Sequence, residues 1–244
     1  MLSKTKLKYI QSLSQKKFRL QEGLFIAEGP KLVNDLLEMK NAAIQEIFAL
    51  KEWIEDNRKV ADSITVVEIT SIELEKISQL ATPNQVLAVA KQFAIDENSE
   101  VKSKITLALD NIQDPGNMGT IIRIADWYGI DQIICNNQSA DMYNPKVIQS
   151  TMGSIARVKV FYTELSSWLA KQKNIPIYGA MLDGEDVTAI PKIKEGIIVI
   201  GNESKGISDD VLKLINKKIT IPQKGKAESL NAAVATGIIL SHLL

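Results

Sequence analysis

ITLALDNIQDPGNMGTIIRIADWYG (residues 105–129) sets the architecture of the C-terminal half of the chain. Its first five residues form a continuous apolar run, the pattern of a strand buried on both faces. Pro115 and Gly116 turn the chain, Asn117 can cap the helix that follows, and Gly129 ends it. A buried strand that passes through a short turn into a helix is the unit from which parallel sheets are built. The unit recurs downstream. DQIIC (131–135), RVKVFY (157–162), IPIYGAM (175–181), GIIVIGN (196–202) and KITIP (218–222) read as strands. Between them, VIQSTMGS (147–154), ELSSWLAKQK (164–173, capped by Thr163), 209–216 (capped by Ser208) and 230–244 read as helices. The pattern predicts a parallel or mostly parallel α/β sheet covered by helices.

Upstream, strand and helix alternate in a smaller unit. KLKYIQSLS (6–14) reads as an amphipathic helix, LFIA (24–27) as a strand, and GPKLVNDLLEM (29–39) as a helix with apolar residues at Leu32, Leu36 and Met39. AIQEIFAL (43–50), SITVVEI (63–69) and QVLAVAKQ (85–92) read as strands. EWIEDNRK (52–59) and IELEKISQL (72–80), capped by Ser71, read as helices. FAIDENSEVKSK (93–104) is polar and separates the two halves. The expected organisation is a small α/β domain over 1–94, a linker over 95–103 and a larger α/β domain over 104–244.

The chain has 244 residues, 45% hydrophobic and 24% charged, with ample material for packed cores. The start, MLSKTKLKYIQSLSQ, lacks the apolar run and small-residue cleavage site of a signal peptide. The apolar end, LNAAVATGIILSHLL, is shorter than the roughly 20 residues a membrane span needs. A single cysteine, Cys135, allows no disulfide within the chain and fits a reducing, cytoplasmic setting. The single histidine, His242, makes a Cys-His pair or a His-based metal site a poor reading; no metal is expected. Net charge is zero, yet residues 1–31 carry seven cations, Lys16, Lys17 and Arg19 among them, against Glu22 and Glu28. Such a local patch can bind phosphate in a neutral protein. A second cluster, Lys213, Lys217, Lys218, Lys224 and Lys226, reads equally as a binding or a solvated surface.

In an open α/β sheet, ligands sit at the carboxyl ends of the strands, so the loops there hold the candidate chemistry. After the first strand, Arg123 is either a snorkelling surface residue or a fork aimed at an anion. Asn117 alone is most simply an N-cap. In IIVIGNESKGIS (197–208), Gly201 and Gly206 flank Asn-Glu-Ser-Lys, and Glu203 is either a hydrogen-bond acceptor or a solvated carboxylate. In ITIPQKGKAESLNAAVATGI (219–238), Ser229 reads as the cap of the last helix. Asn231 is a poor helix former in its alanine-rich run. No dinucleotide or P-loop fingerprint is present, which argues against a nucleotide-dependent Rossmann enzyme.

DPGNMGTIIRIAD, IVIGNESKGIS and IPQKGKAESLNAAVATGI resemble, in order and spacing, the three signature motifs of the SpoU/TrmH RNA 2′-O-ribose methyltransferases. NPKVIQSTMGSIARVKV (144–160) resembles the family's intermediate segment. FIAEGPKLVNDLLE (25–38) and ATPNQVLAVA (81–90) resemble the small substrate-binding domain of many members. The resemblance implies a trefoil-knotted α/β catalytic domain, a homodimer, S-adenosylmethionine as methyl donor and RNA as substrate, with rRNA favoured and tRNA the alternative. It implies that Arg123, Asn117, Glu203, Ser229 and Asn231 serve catalysis. Gly201, Asn202, Ile221, Leu230, Met181 and Leu182 would hold the donor, and Lys16, Lys17 and Arg19 would contact RNA. A non-catalytic RNA-binding relative is the other reading, and the joint presence of the five polar residues argues against it. Two positions depart from the family pattern. Ser204 follows the glutamate where glycine is usual, and a serine at positive φ would cost about 1 kcal/mol. Gln85 replaces a glycine of the N-terminal segment.

Overall fold

Short apolar runs alternating with amphipathic stretches give strands and helices along the chain. The computed structural model, which describes residues 2–39, 43–94 and 100–244, sorts them into two units. One comprises Met1–Ala94 with Tyr143–Ala156, the other Ile95–Met142 with Arg157–Leu244.

The first unit opens with helices α1 (Lys4–Ser12) and α2 (Lys16–Glu22). Strand β1 (Leu24–Glu28), helix α3 (Pro30–Glu38), strand β2 (Ile44–Ala49) and helix α4 (Lys51–Asp56) follow. Strand β3 (Thr65–Glu68), helix α5 (Ser71–Ile77) and strand β4 (Val86–Lys91) complete its contiguous part. The four strands form one sheet in the order β1-β4-β2-β3, with β4 antiparallel to both neighbours and β2 parallel to β3. Both faces of the sheet are covered. Phe48, Leu87 and Val89 pack with Ile10, Leu13 and Leu74 on one side. Their chain neighbours Ile47, Val86 and Ala88 pack with Val33 and Trp53 on the other, the period-two division of a strand.

Two local expectations change here. Thr70, not Ser71, caps α5, because Thr70 and Glu73 complete a reciprocal capping box. Gln85 holds φ +56°, the left-handed conformation that glycine adopts freely, and its carbonyl accepts from Leu50 N–H at 2.8 Å.

The second unit contains β5 (Ile105–Leu109), α6 (Pro115–Trp127) and β6 (Gln132–Asn136). The chain then contributes α7 (Pro145–Thr151), which groups with the first unit although it lies inside the range 104–244. There the Tyr143 hydroxyl accepts from Phe93 N–H at 2.7 Å, and its ring lies 5.0 Å from that of Phe25. The second unit resumes with β7 (Lys159–Thr163), α8 (Leu165–Leu169), β8 (Ile177–Asp186) and β9 (Gly196–Ile200). It ends with α9 (Asp209–Leu212), β10 (Lys217–Thr220) and α10 (Ala232–Leu243). Residues 95–99 of the expected linker lie outside the described residues.

The six strands of this unit run in the order β10-β8-β9-β5-β6-β7, and every pair is parallel. The expectation of a mostly parallel sheet is met in full. From β5 the chain builds outward through β6 and β7, then crosses to the other side of β5 to lay down β8, inserts β9 between β8 and β5, and adds β10 at the edge. The β5/β9 pair is therefore the switch point, the place where open parallel sheets bind their ligands.

Candidate active site at the carboxyl edge of the parallel sheet

The three motif loops leave the carboxyl ends of β5, β9 and β10, which parallel pairing places along one edge of the sheet. Asp114, not Asn117, is the N-cap of α6. Its side chain accepts from Asn117 N–H at 2.8 Å, and Pro115 occupies the first helical position, where a missing N–H costs nothing. Asn117 thus lies in the first turn with its amide free to look outward. At the other helix the roles also shift. Asn231, not Ser229, caps α10, its Oδ1 accepting from Ala233 and Val234 N–H at 3.0 and 3.2 Å.

These two asparagines join the loops. Asn117 Nδ2 donates to Glu203 Oε1 at 2.5 Å, and Asn231 Nδ2 donates to Asn117 Oδ1 at 2.7 Å. One residue from each motif is thereby linked in a single chain of hydrogen bonds. The loop carrying Glu203 is closed on itself. Asn202 and Gly206 exchange two backbone hydrogen bonds of 2.9 Å, and Asn202 Oδ1 accepts from Ser204 and Lys205 N–H. Gly201 is required by this closure, since a Cβ there would stand 2.4 Å from the Gly206 carbonyl carbon. Ser204 does not have positive φ, so the departure from the family pattern carries no backbone strain.

Beneath the loops lies a buried polar cluster that residue type alone did not single out. Asp110, 1% exposed, accepts from Asn136 Nδ2 at 2.8 Å and Asn111 Nδ2 at 3.1 Å through one oxygen. Its other oxygen accepts from Ser208 N–H at 2.7 Å. Asn136 Oδ1 in turn accepts from Asn111 N–H and Ser139 Oγ. The signal was present in position: Asp110 and Asn136 are polar residues at the inner ends of apolar strands.

The remaining expected residues are placed as follows. Arg123 is exposed on α6 and, among the described residues, has no hydrogen-bond or ion-pair partner. Ser229 is exposed and outside the asparagine chain. Leu182 and Leu230 are exposed, at 76% and 44%, while Met181 and Ile221 are half-buried. Thr220 Oγ1 donates to Leu182 O, which brings the β8 segment against the end of β10. Asn202 Nδ2 donates to Asn111 O at 2.8 Å, so its side chain serves the loop itself.

In the first unit, Lys16 and Lys17 are exposed on α2, as an RNA contact requires. Arg19 is a correction. It is 2% exposed, and its guanidinium donates to the carbonyls of Leu13 and Ser14 at 3.0 and 2.7 Å, capping the end of α1 from below. Its charge is used inside the fold. In the second basic cluster, Lys213 pairs with Asp210, Lys218 pairs with Asp183, and Lys217 lies over the Tyr178 ring. Cys135 is fully buried, and burial pushes its thiol far above the usual range, which leaves it chemically inert.

A parallel sheet whose carboxyl edge carries three polar loops tied by asparagines is the setting of an α/β enzyme's active site, and comparison with known proteins identifies the class as RNA methyltransferase. Residues 104–241 match the SpoU rRNA Methylase family and residues 4–88 an MRM3-like substrate binding domain. The chain belongs to the SpoU rRNA methylase family. It is 30% identical over 241 residues, 98% of this chain and 95% of the relative, to the 23S rRNA (guanosine(2553)-2′-O)-methyltransferase RlmP of Bacillus subtilis. An AdoMet-bound rRNA methyltransferase from Sinorhizobium meliloti matches with a TM-score of 0.88 and 30% identity, covering 100% of this chain and 96% of that one. The SpoU methyltransferase AviRb from Streptomyces viridochromogenes, in complex with AdoMet, matches with a TM-score of 0.85 and 25% identity, covering 99% and 97%.

Proposed function

We propose that this protein transfers a methyl group from S-adenosylmethionine to a ribose 2′-hydroxyl of ribosomal RNA in the cytoplasm. The observation that carries the reading is the hydrogen-bonded chain Glu203–Asn117–Asn231, which joins all three motifs at one sheet edge. Relatives and structural neighbours named as rRNA 2′-O-methyltransferases or bound to AdoMet support the substrate and the donor.

The residues fit a donor with an apolar face and many polar edges. Leu182 and Leu230 leave large apolar side chains exposed, and Met181, next to Leu182, and Ile221, directly after β10, are half-buried. The tight Gly201–Gly206 closure brings bare backbone to the same edge. Bound S-adenosylmethionine supplies an electrophilic methyl carbon on a sulfonium. Arg123 takes an RNA phosphate or stabilises the 2′-oxygen as that oxygen gives up its proton to solvent, because a guanidinium with no partner among the described residues offers a planar set of donors. A guanidinium carries only donors and no acceptor, so Arg123 serves as a positioning and electrostatic group. Asn117, Glu203 and Asn231 hold the loop geometry that orients the sugar, with Ser229 at the mouth of the same loop. Only RNA has the 2′-hydroxyl, so the chemistry itself excludes DNA.

Exposed Lys16 and Lys17 serve the RNA backbone. The trefoil knot and the homodimer expected from the family resemblance belong to this reading. A cleft of about 380 Å³ between α6 and α10, apolar along Ile124, Val234 and Ile238, and the exposed Val234 support a second copy as its occupant.

The test is direct. Purified protein is given labelled donor and rRNA from cells lacking the gene, and the product is digested to nucleosides. A 2′-O-methylated nucleoside in rRNA is the expected product. Label on a base, or label in tRNA alone, overturns the assignment.

A further inference from the structure

We propose that Asp110 is a positioning residue that sets the catalytic Asn117–Glu203 pair without touching it. The inference rests on the reading of that pair given above. Asn117 and Glu203 sit on different loops, one leaving β5 and one leaving β9. Their 2.5 Å hydrogen bond forms only if the two loops keep a fixed offset. Asp110 supplies that offset. It directly follows β5 and reaches across to Ser208 N–H, where the Glu203 loop ends, at 2.7 Å. The same carboxylate holds Asn111 and Asn136 through its other oxygen. Asn202 closes the loop pair from the opposite end by donating to Asn111 O. The Glu203 loop is thus pinned to the β5 loop at both of its ends, by Asn202 and by Ser208.

The chemistry requires a carboxylate. All three partners of Asp110 are donors, so an amide in its place turns an NH₂ group toward at least one N–H. Asp110 itself is 1% exposed, so little water reaches its side chain to relieve that clash. The loop end at Ser208 must then move, and Glu203 moves with it.

The experiment compares Asp110→Asn with the wild type in two readouts: kcat for methyl transfer and the side-chain amide resonance of Asn117 in a ¹⁵N-labelled protein. The expected result is a fall in kcat of about tenfold or more together with a displaced Asn117 resonance. An unchanged kcat or an unmoved resonance overturns the proposal, even where thermal stability falls. Should Asp110→Asn fail to fold, Asn111→Gly serves the same test. Asn111 holds φ +60°, which glycine accepts, and its removal deletes one bond to Asp110. Its expected fall in kcat is about threefold to fivefold, again with a shifted Asn117 resonance. Glu203→Gln is measured alongside. Wild-type kcat in Glu203→Gln refutes the role of the pair itself, whereas a slow Glu203→Gln with an unmoved Asn117 resonance in Asp110→Asn refutes only the positioning role.

Discussion

Asn117 donates its side-chain amide to Glu203 at 2.5 Å across 86 positions of sequence. A carboxylate only accepts here, so Asn117 Nδ2 must face Glu203 and its Oδ1 must face away. Asn231 then has to present Nδ2 to Asn117, which leaves its own Oδ1 for the N–H groups of Ala233 and Val234. Every donor and acceptor in the chain has one consistent orientation. Asn117→Asp reverses the polarity at its centre and sets two carboxylates against each other. The expected loss in kcat is about 10–100-fold, the equivalent of about 1–3 kcal/mol, and larger than for Asn117→Ala. Steady-state kinetics on the two variants decides it; equal losses would mean that only the missing amide matters.

Arg123 is exposed and, among the described residues, has no hydrogen-bond or ion-pair partner, so its removal disturbs little of the fold. Arg123→Ala is expected to change stability by no more than about 0.5 kcal/mol. Methyl transfer should nevertheless fall by about 100-fold or more. Arg123→Lys should restore little, because an ammonium lacks the planar fork. Full activity in the lysine variant would reduce the role to charge alone.

Gly201→Ala tests the loop closure rather than a vacant space. The added methyl would lie 2.4 Å from Gly206 C and 2.5 Å from Ile207 N, both backbone atoms that cannot rotate away. The expected outcome is a loss of about 1–3 kcal/mol in stability together with weakened donor binding by calorimetry. Unchanged donor affinity would separate the closure from the donor site.

Much of the architecture was legible because parallel strands buried on both faces are written as unbroken apolar runs. LALD, IIVI and IIC located β5, β9 and β6, and Gly129 marked the end of α6. The caps were less legible. Asp114 and Asn117, or Ser229 and Asn231, are all good capping types within a few residues, and local propensity cannot choose among them. Tertiary contact chooses: Asn117 is drawn to Glu203, and Asn231 to Asn117. Arg19 misled for the same reason. A cation in a basic segment reads as surface, and only the path of Leu13 and Ser14 shows that two carbonyls need it. The strand order and the grouping of α7 with the first unit were not legible, since nothing local encodes which strands become neighbours.

Glu28 makes a pH-dependent contribution whose sign is fixed by burial. Its carboxylate accepts from Ser78 Oγ and from Gln79 N–H at 2.8 Å, yet desolvation outweighs these bonds and raises its pKa. Between the ordinary carboxylate value, about 4, and the raised folded one, the native state holds more protons than the unfolded chain. Stability therefore falls as pH rises through that window. Glu28→Gln removes this slope, so urea unfolding at a series of pH values should show the wild type losing ground to the variant as pH increases. The opposite trend would mean that the two hydrogen bonds dominate.

The basic N-terminal segment divides into two kinds of cation, and mutation should separate them. Lys16 and Lys17 stand exposed at the start of α2, and under the proposed function they neutralise phosphate when RNA binds. Lys16→Glu with Lys17→Glu is expected to weaken RNA binding and to flatten its salt dependence by about two counterions, with stability nearly unchanged. Arg19→Ala should do the reverse. It strands the carbonyls of Leu13 and Ser14 beneath α1 and should cost about 1–3 kcal/mol of stability. Its salt slope for RNA binding should match that of the wild type. A titration of affinity against salt for both variants tests the division, and a flattened slope in Arg19→Ala would place its charge back at the RNA surface.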